Sequence, residues 1–261
     1  MTKKLSDNPN NISMSLGDHL EELRARLILA IIGFIIALIL CLALGLFIIK
    51  FIERPYLKVM GPDARMQSIG PADGIISYMQ IAVVAAIVIS SPWIFYQLWK
   101  FISAGLYPNE RRYVYLAVPC SSALFIIGAL FFTFIIAPLT LRYFVLFNEK
   151  FLNVSSNFSF PRYVSFIGTM MLVFGLAFQT PIAIFFLEKT GLVSVQTLRG
   201  IRKYVVLVIV VLASAAIPGS DPLSLIALAG PMYILYELGI LLSRLSRKKA
   251  IAPIYQDNQQ S

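Results

Sequence analysis

The sequence predicts an all-α protein, a polytopic membrane protein with six transmembrane helices. Of its 261 residues, 58% are hydrophobic and only 13% are charged, whereas soluble domains are about 45–50% apolar. Mean hydropathy is +0.79. The apolar residues are gathered in blocks of up to about twenty, the length that a helix needs to cross about 30 Å of hydrocarbon. We therefore expect a single membrane domain over residues 1–261.

Six blocks mark the expected spans in chain order: residues 27–49, 75–99, 113–137, 163–187, 204–217 and 223–242. The fifth block would reach only about 21 Å as a helix, so it has to thin the bilayer or be shielded by neighbouring helices. The Pro/Gly turn at 217–222 joins it to the sixth block as a helical hairpin. Residues 1–15 are polar and the first apolar block continues past twenty residues, unlike the short apolar core of a cleavable signal peptide, so we expect nothing to be removed.

The distribution of lysine and arginine predicts the orientation. Fifteen of these residues flank the spans on the side that holds the N-terminal segment and the tail 243–261, and seven lie on the other side. Because basic loops stay in the cytoplasm, we expect both termini to be cytoplasmic in an inner membrane. The loops 50–74 and 138–162, which contain Pro, Gly, Asn and Ser, are then expected to cap the outer face.

The net charge of +9 does not indicate nucleic-acid binding, because the basic residues cluster at the ends of apolar blocks. Topology and phospholipid contact explain them better. The two cysteines, Cys41 and Cys120, are expected at different depths and therefore not in a disulfide. The sequence shows no Cys–His metal spacing, no glycine-rich phosphate loop and no nucleophile beside the single His19. We expect no cofactor and no enzymatic activity.

An acidic motif, HLEELRAR at 19–26, precedes the first span. Leucines at 16, 20, 23 and 27 form one helical stripe, with Glu22, His19 and Arg26 on one flank and Arg24 on the other. One interpretation is a juxtamembrane amphipathic helix with a Glu22–Arg26 pair worth a few tenths of a kcal/mol. The alternative is that the carboxylate has a functional role.

A second acidic motif lies in the short loop between the second and third spans, where Glu110 stands beside Arg111 and Arg112. It too has a plain interpretation, as a helix start after Pro108 with an acidic first turn. Two carboxylates at separate membrane edges, each with arginine nearby to keep it ionised, nevertheless suggest a shared purpose.

Four segments together resemble the TatC subunit of the twin-arginine protein translocase: HLEELRAR at 19–26, SSPWIFYQLWKFISAGLYPNERR at 90–112, FGLAFQTP at 174–181 and PMYILYELG at 231–239. The likeness runs over essentially the whole chain. It implies a receptor for Arg-Arg signal peptides of folded cargo, which works with TatA- and TatB-type single-span partners in a multimeric complex driven by the proton-motive force.

The resemblance also assigns residues. By motif match, Glu22 and Glu110 are implied to read the signal peptide, since carboxylates bind guanidinium forks in a geometry that lysine cannot reproduce. Arg24 and Arg112 would hold and balance these acids. The same site is expected to include Arg111, Tyr96 and Gln97.

Other polar and aromatic residues carry weaker expectations. Gln179 and Glu237 lie within spans and are costly unless partnered. The family commonly has glutamate where Gln179 stands, so proton exchange there is in doubt, and an amide that bridges helices is equally favoured. Met232, Tyr233 and Tyr236 indicate helix packing first and a partner-docking edge second. An interfacial belt is the favoured interpretation for most of four aromatic residues: Trp93, Tyr96, Trp99 and Tyr107.

A membrane protein of this size could also be a small-solute transporter or a non-transporting scaffold. A small-solute secondary transporter would have repeated halves with broken helices and charges that converge near the midplane, and no repeat is visible. A non-transporting scaffold would lack selective affinity for arginine pairs. Six helices of about 10 Å diameter cannot enclose a pore for a folded protein, so export would require assembly with partners.

Overall fold

A computed structural model describes residues 16–105, 111–191, 193–216 and 222–251, and over these residues the chain is helical with short connections. The elements are α1 (Leu16–Ala43), α2 (Gly45–Met60), α3 (Asp73–Ala104), α4 (Arg111–Phe131), a π-helical turn (Phe132–Ile136), α5 (Ala137–Phe151), α6 (Phe160–Ala177), α7 (Thr180–Lys189), α8 (Val195–Gly200), α9 (Arg202–Ala216) and α10 (Pro222–Ile251).

Four stretches of the described chain are long and apolar enough to cross a membrane: Gly17–Ala43, Asp73–Ala104, Val114–Phe151 and Phe160–Lys189. The expected hairpin follows as α9 and α10, with a shorter apolar core at Ala229–Leu241. Cys41 and Cys120 are free, as expected. His19 on α1 stacks on Phe101 of α3 at 4.5 Å between ring centroids, so the start of α1 lies beside the end of α3. We call this the N-terminal end of the bundle.

The first expected span, 27–49, is interrupted. Helix α1 ends at Ala43 and α2 begins at Gly45. The Tyr78 hydroxyl on α3 donates to the Leu42 carbonyl, and a Cβ on Gly45 would lie 2.5 Å from the Tyr78 ring. The chain therefore turns against Tyr78, where only glycine leaves room for the ring.

The expectation that 50–74 and 138–162 are loops was wrong in part, because α2 and α5 occupy much of them. Helix α2 is amphipathic and buries Ile52 and Tyr56, four residues apart, against the bundle. The remaining connections are tied together: the Gln67 amide donates to the Phe158 carbonyl at 3.0 Å, and the Phe160 amide donates to the Gln67 carbonyl at 2.8 Å. These segments cover the end opposite the N-terminal end.

Helix α3 is central and packs against α1, α4 and α6. Helices α4 and α6 approach closely at two glycines. A Cβ on Gly128 would lie 2.7 Å from the Phe174 carbonyl oxygen, and one on Gly175 would lie 2.7 Å from the Phe125 ring. Because real Cβ atoms do not approach so closely, larger residues at these positions would push the two helices apart.

A π-helical turn connects α4 to α5 without breaking the rod. The Ala137 amide donates to the Phe132 carbonyl, five residues back. Pro138 follows, and a proline ring clashes with the carbonyl four residues before it. The wider turn relieves that clash, as π-bulges and prolines do in other helices.

Candidate functional site

At the N-terminal end of the bundle, the Glu22 carboxylate holds the Arg26 guanidinium. Oε1 of Glu22 lies 2.6 Å from both Nε and Nη2 of Arg26. The Glu22 side chain is 28% exposed and the Arg26 side chain is 19% exposed. The i,i+4 pair expected from the sequence is confirmed, and in it one carboxylate oxygen accepts charge-assisted hydrogen bonds from two guanidinium nitrogens.

Helix α3 forms the second wall of this site. Gln97 is almost completely buried, and its Oε1 accepts a long contact of 3.4 Å from Nη1 of Arg26. Tyr96 is exposed, and the Lys100 ammonium lies 5.4 Å above its ring, within the range of a cation–π contact. The site thus combines one carboxylate, two cations and an exposed aromatic ring that one of these cations faces.

The structure brings together only some of the residues that were expected here. Arg26, rather than Arg24, holds Glu22, because residues four apart share a helix face while Arg24 points outward and is exposed. Glu110 lies outside the described residues. Arg111 and Arg112 begin α4, but their side chains also lie outside the described part.

Trp99 is not part of an interfacial belt. It is 6% exposed, its indole Nε1 donates to the Ser121 hydroxyl at 2.9 Å, and its ring meets Phe186 edge-on at 4.8 Å. Trp93 does lie at the surface of α3, where its Nε1 donates to the Leu29 carbonyl at 2.9 Å. The two tryptophans lie six residues apart on α3, so they point to different faces of the helix, one exposed and one buried.

Gln179 bridges helices. It stands between α6 and α7, and its Nε2 donates to the Ser121 carbonyl on α4 at 2.9 Å. Ser121 therefore accepts hydrogen bonds from two distant side chains, Trp99 at its hydroxyl and Gln179 at its carbonyl. The bridging interpretation is confirmed, and Ser121 is the partner that sequence patterns did not indicate.

Glu237 is partnered across the hairpin. Nη2 of Arg202, at the start of α9, lies 2.7 Å from Oε2 of Glu237 on α10, and the Tyr233 hydroxyl donates to Oε1 at 3.0 Å. From the sequence, Arg202 is expected only to be one of the basic residues that determine the orientation in the membrane. Its role as a partner depends on the antiparallel hairpin, which brings residues 35 positions apart together.

The expected docking residues on α10 are mostly internal. Tyr236 is 3% exposed, and its hydroxyl donates to the Leu198 carbonyl. Met232 packs against the main core, and Tyr233 packs beside the smaller cluster around Tyr236. The packing interpretation fits these side chains, and the outward face of α10 consists instead of Ile234, Leu238 and Leu241.

Comparison with known proteins fits this arrangement. The family model described as Sec-independent protein translocase protein (TatC) matches residues 18–231. The chain belongs to the TatC family. The match covers the chain from the start of α1 through α9 and ends at Pro231 in α10.

Relatives in the TatC family are similar over nearly their whole lengths. The Aquifex aeolicus TatC is 32% identical over 90% of this chain and 97% of its own, and the Helicobacter pylori TatC is 34% identical over 94% and 91%. A crystal structure of the twin-arginine translocase receptor TatC in the detergent DDM has a TM-score of 0.79 at 32% identity, covering 86% of this chain and 99% of that one. The all-α fold with six transmembrane spans is thereby confirmed. The chain is a subunit of a protein-transport complex.

Proposed function

We propose that this TatC-family chain binds signal peptides with two consecutive arginines at the surface between α1 and α3. The observation that carries the proposal is the geometry of Glu22, whose Oε1 already accepts from two nitrogens of a guanidinium at 2.6 Å. A carboxylate that fits one arginine in this way fits an arginine from a ligand equally well.

The selectivity for arginine over lysine follows from the shape of the two groups. A guanidinium offers several N–H donors in a rigid plane, whereas an ammonium is a compact, strongly hydrated charge. The exposed Tyr96 ring beside the site holds the Lys100 ammonium 5.4 Å above it, and a peptide guanidinium is proposed to compete for that face. Glu110, which follows α3 in the sequence, is proposed as the acid for the second arginine, flanked by Arg111 and Arg112.

The N-terminal end of the bundle is proposed to face the cytoplasm. The excess of lysine and arginine on that side supports this orientation, which places the peptide site where folded cargo is presented. Export is proposed to be driven by the proton-motive force.

TatA- and TatB-type partners are proposed to dock on the hairpin. Its outward face carries exposed apolar side chains on both helices, among them Leu207, Val211, Ile234 and Leu238. Single-span helices of matching apolar character would cover this face within the membrane, where packing rather than water exclusion drives association. The family match does not favour the alternative of a small-solute transporter.

The proposal is tested with the detergent-solubilised protein and two peptides, one with Arg-Arg and its Lys-Lys twin. We expect the arginine peptide to bind more tightly by about 1.5–3 kcal/mol, the range of charge-assisted hydrogen bonds. Glu22→Ala and Glu110→Ala should each remove that preference. Glu21→Ala is the matched control, because Glu21 is an exposed acid on the same helix.

Equal affinity of the two peptides for the unmodified protein would overturn the proposal. So would an equal loss of the preference in Glu21→Ala, since the effect would then reflect general surface charge.

A further inference from the structure

An open groove of about 620 Å³ lies between the end of α2 and the junction of the π-helical turn with α5. Two cations line it, Lys58 in the last turn of α2 and Arg142 on α5, together with apolar side chains that include Phe134, Ile135 and Leu139. The volume is in the range of sites that bind small molecules. It lies at the end of the bundle opposite the peptide site.

The apolar and charged parts of the groove are arranged in sequence along one helix face. Ile135, Leu139 and Arg142 follow each other at spacings of four and three residues, so they form one stripe. Ile135 and Leu139 are 56% and 60% exposed. The stripe is therefore apolar at one end and cationic at the other.

The depth of this stripe matches the boundary of a bilayer. The rod from Val114 to Phe151 is 38 residues long, or about 57 Å, which exceeds the roughly 30 Å of hydrocarbon. Measured from Val114 at the N-terminal end, Ile135 lies about 32 Å along the axis and Arg142 about 42 Å. With Val114 at the outer surface of the near headgroups, the hydrocarbon ends about 36 Å along the axis and the far headgroups end at about 40–45 Å. Ile135 then lies just inside the far edge of the hydrocarbon, and Arg142 lies among the far headgroups.

The floor of the groove is rigid. Phe134 meets Phe51 of α2 edge-on at 5.3 Å between ring centroids, and the Arg54 guanidinium lies 5.6 Å above the Phe51 ring. These contacts hold α2 against the π-helical turn. The position of Lys58 relative to Arg142 is therefore determined by the packing of two helices, not by a loose loop.

Both cations are available. Among the residues that the structure describes, neither Lys58 nor Arg142 takes part in an ion pair, and both are exposed. No carboxylate belongs to the groove lining that the structure describes. Two cations above an exposed apolar wall complement a ligand with an anionic head and an apolar tail.

We propose that this groove binds an anionic phospholipid, with the headgroup phosphate between Lys58 and Arg142 and an acyl chain along Ile135 and Leu139. A soluble anion would use the two cations but not the apolar stripe. A zwitterionic lipid would use the stripe but would bring its own cation to a site that already holds two. The lipid is bound at the membrane surface opposite the peptide site.

The experiment is native mass spectrometry of the full-length purified protein, titrated with phosphatidylglycerol and, separately, with phosphatidylcholine. We expect the unmodified protein to retain phosphatidylglycerol in preference. The double variant Lys58→Ala/Arg142→Ala should reduce its retention at least fivefold and leave the weaker retention of phosphatidylcholine unchanged. The charge-keeping variant Lys58→Arg/Arg142→Lys should retain most of the binding.

The matched control is Lys50→Ala/Arg162→Ala, which removes two exposed cations outside the groove. Elution as a single species and an unchanged unfolding temperature show that each variant is folded. Equal loss of phosphatidylglycerol in this control, or equal retention of the two lipids by the unmodified protein, would overturn the proposal. Displacement of the bound lipid by inorganic phosphate alone would overturn it as well, because the groove would then be a soluble-anion site.

Discussion

Glu22 and Arg26 form a closed pair, in which one carboxylate oxygen lies 2.6 Å from two nitrogens of the guanidinium. The acid that is proposed to bind a peptide arginine is therefore already occupied by an arginine of the same chain. A ligand has to replace Arg26 at Glu22 before it can bind, and the internal pair lowers its affinity accordingly.

Arg26→Gln should raise the affinity for an Arg-Arg peptide about two- to fivefold, because the ligand no longer has to break a pair worth a few tenths to about 1 kcal/mol. Isothermal titration with the solubilised protein measures this change. Arg24→Gln is the control, since it removes the same charge from the same helix without touching Glu22 and should lower repulsion of the peptide only slightly. A weaker affinity in Arg26→Gln would mean that Arg26 orients Glu22 and does not compete with the ligand.

Gln179→Glu should lower stability without changing peptide affinity. The amide Nε2 of Gln179 donates to the Ser121 carbonyl, whereas a glutamate at this position can donate there only after it binds a proton. The cost is that of an unsatisfied buried acceptor, about 1–3 kcal/mol, and it is read from thermal unfolding in detergent. Gln179→Met is the matched control, since it has a similar shape, cannot donate either and carries no charge. Loss of peptide binding above tenfold in Gln179→Glu would contradict a purely internal role.

Glu237→Ala should weaken association with TatA- and TatB-type partners more than signal-peptide affinity. The substitution leaves the Arg202 guanidinium without the carboxylate that joins α9 to α10, so the proposed docking face loses its fixed geometry. Co-purification with a tagged partner measures the first effect and peptide titration the second.

The double variant Arg202→Gln/Glu237→Gln tests whether charge or packing matters at the hairpin. It restores neutrality and can keep a hydrogen bond between the helices, so association should recover in part. An equal loss of peptide binding and partner association in Glu237→Ala would argue instead for general misfolding.

Stability should fall as pH rises through the range in which Glu53 ionises. Burial raises the pKa of the Glu53 carboxyl above its ordinary value of 4.5, so the folded state binds this proton more tightly than the unfolded state. Its contribution is then fully present below pH 4.5 and is lost as the pH rises through the raised pKa. Glu53→Gln should remove this dependence and unfold at a higher temperature than the unmodified protein at pH 7.

Glu149→Gln is the control for that measurement, because Glu149 is an exposed acid on α5 at the same end of the bundle. An identical pH profile of unfolding in Glu53→Gln and the unmodified protein would contradict the prediction.

Composition and periodicity were sufficient to predict the helical membrane fold, the hairpin and the Glu22–Arg26 pair, because each depends on residues close in sequence. They did not predict α2 and α5. Polar and Pro/Gly residues there resemble loop signals, whereas burial of Ile52 and Tyr56 against distant helices stabilises α2.

The partners of the intramembrane polar residues were also missed, for the same reason. Ser121 and Gln179 are 58 positions apart, and Arg202 and Glu237 are 35 apart. Such contacts depend on which helices become neighbours and on their rotation, and a single sequence states neither. Family resemblance supplied the candidate peptide acids and assigned Arg24 to hold Glu22, whereas helix spacing predicted Arg26 and the structure shows Arg26 in that place.

The glycine contacts between α4 and α6 have a mechanical consequence. At Gly128 and Gly175 the two helices meet so closely that a shift along their axes, which would bring residues with side chains to these contacts, would create clashes. Shear between packed helices is one of the common ways in which proteins change shape, and this pair resists it. Movements that accompany cargo transport are therefore expected elsewhere than between α4 and α6.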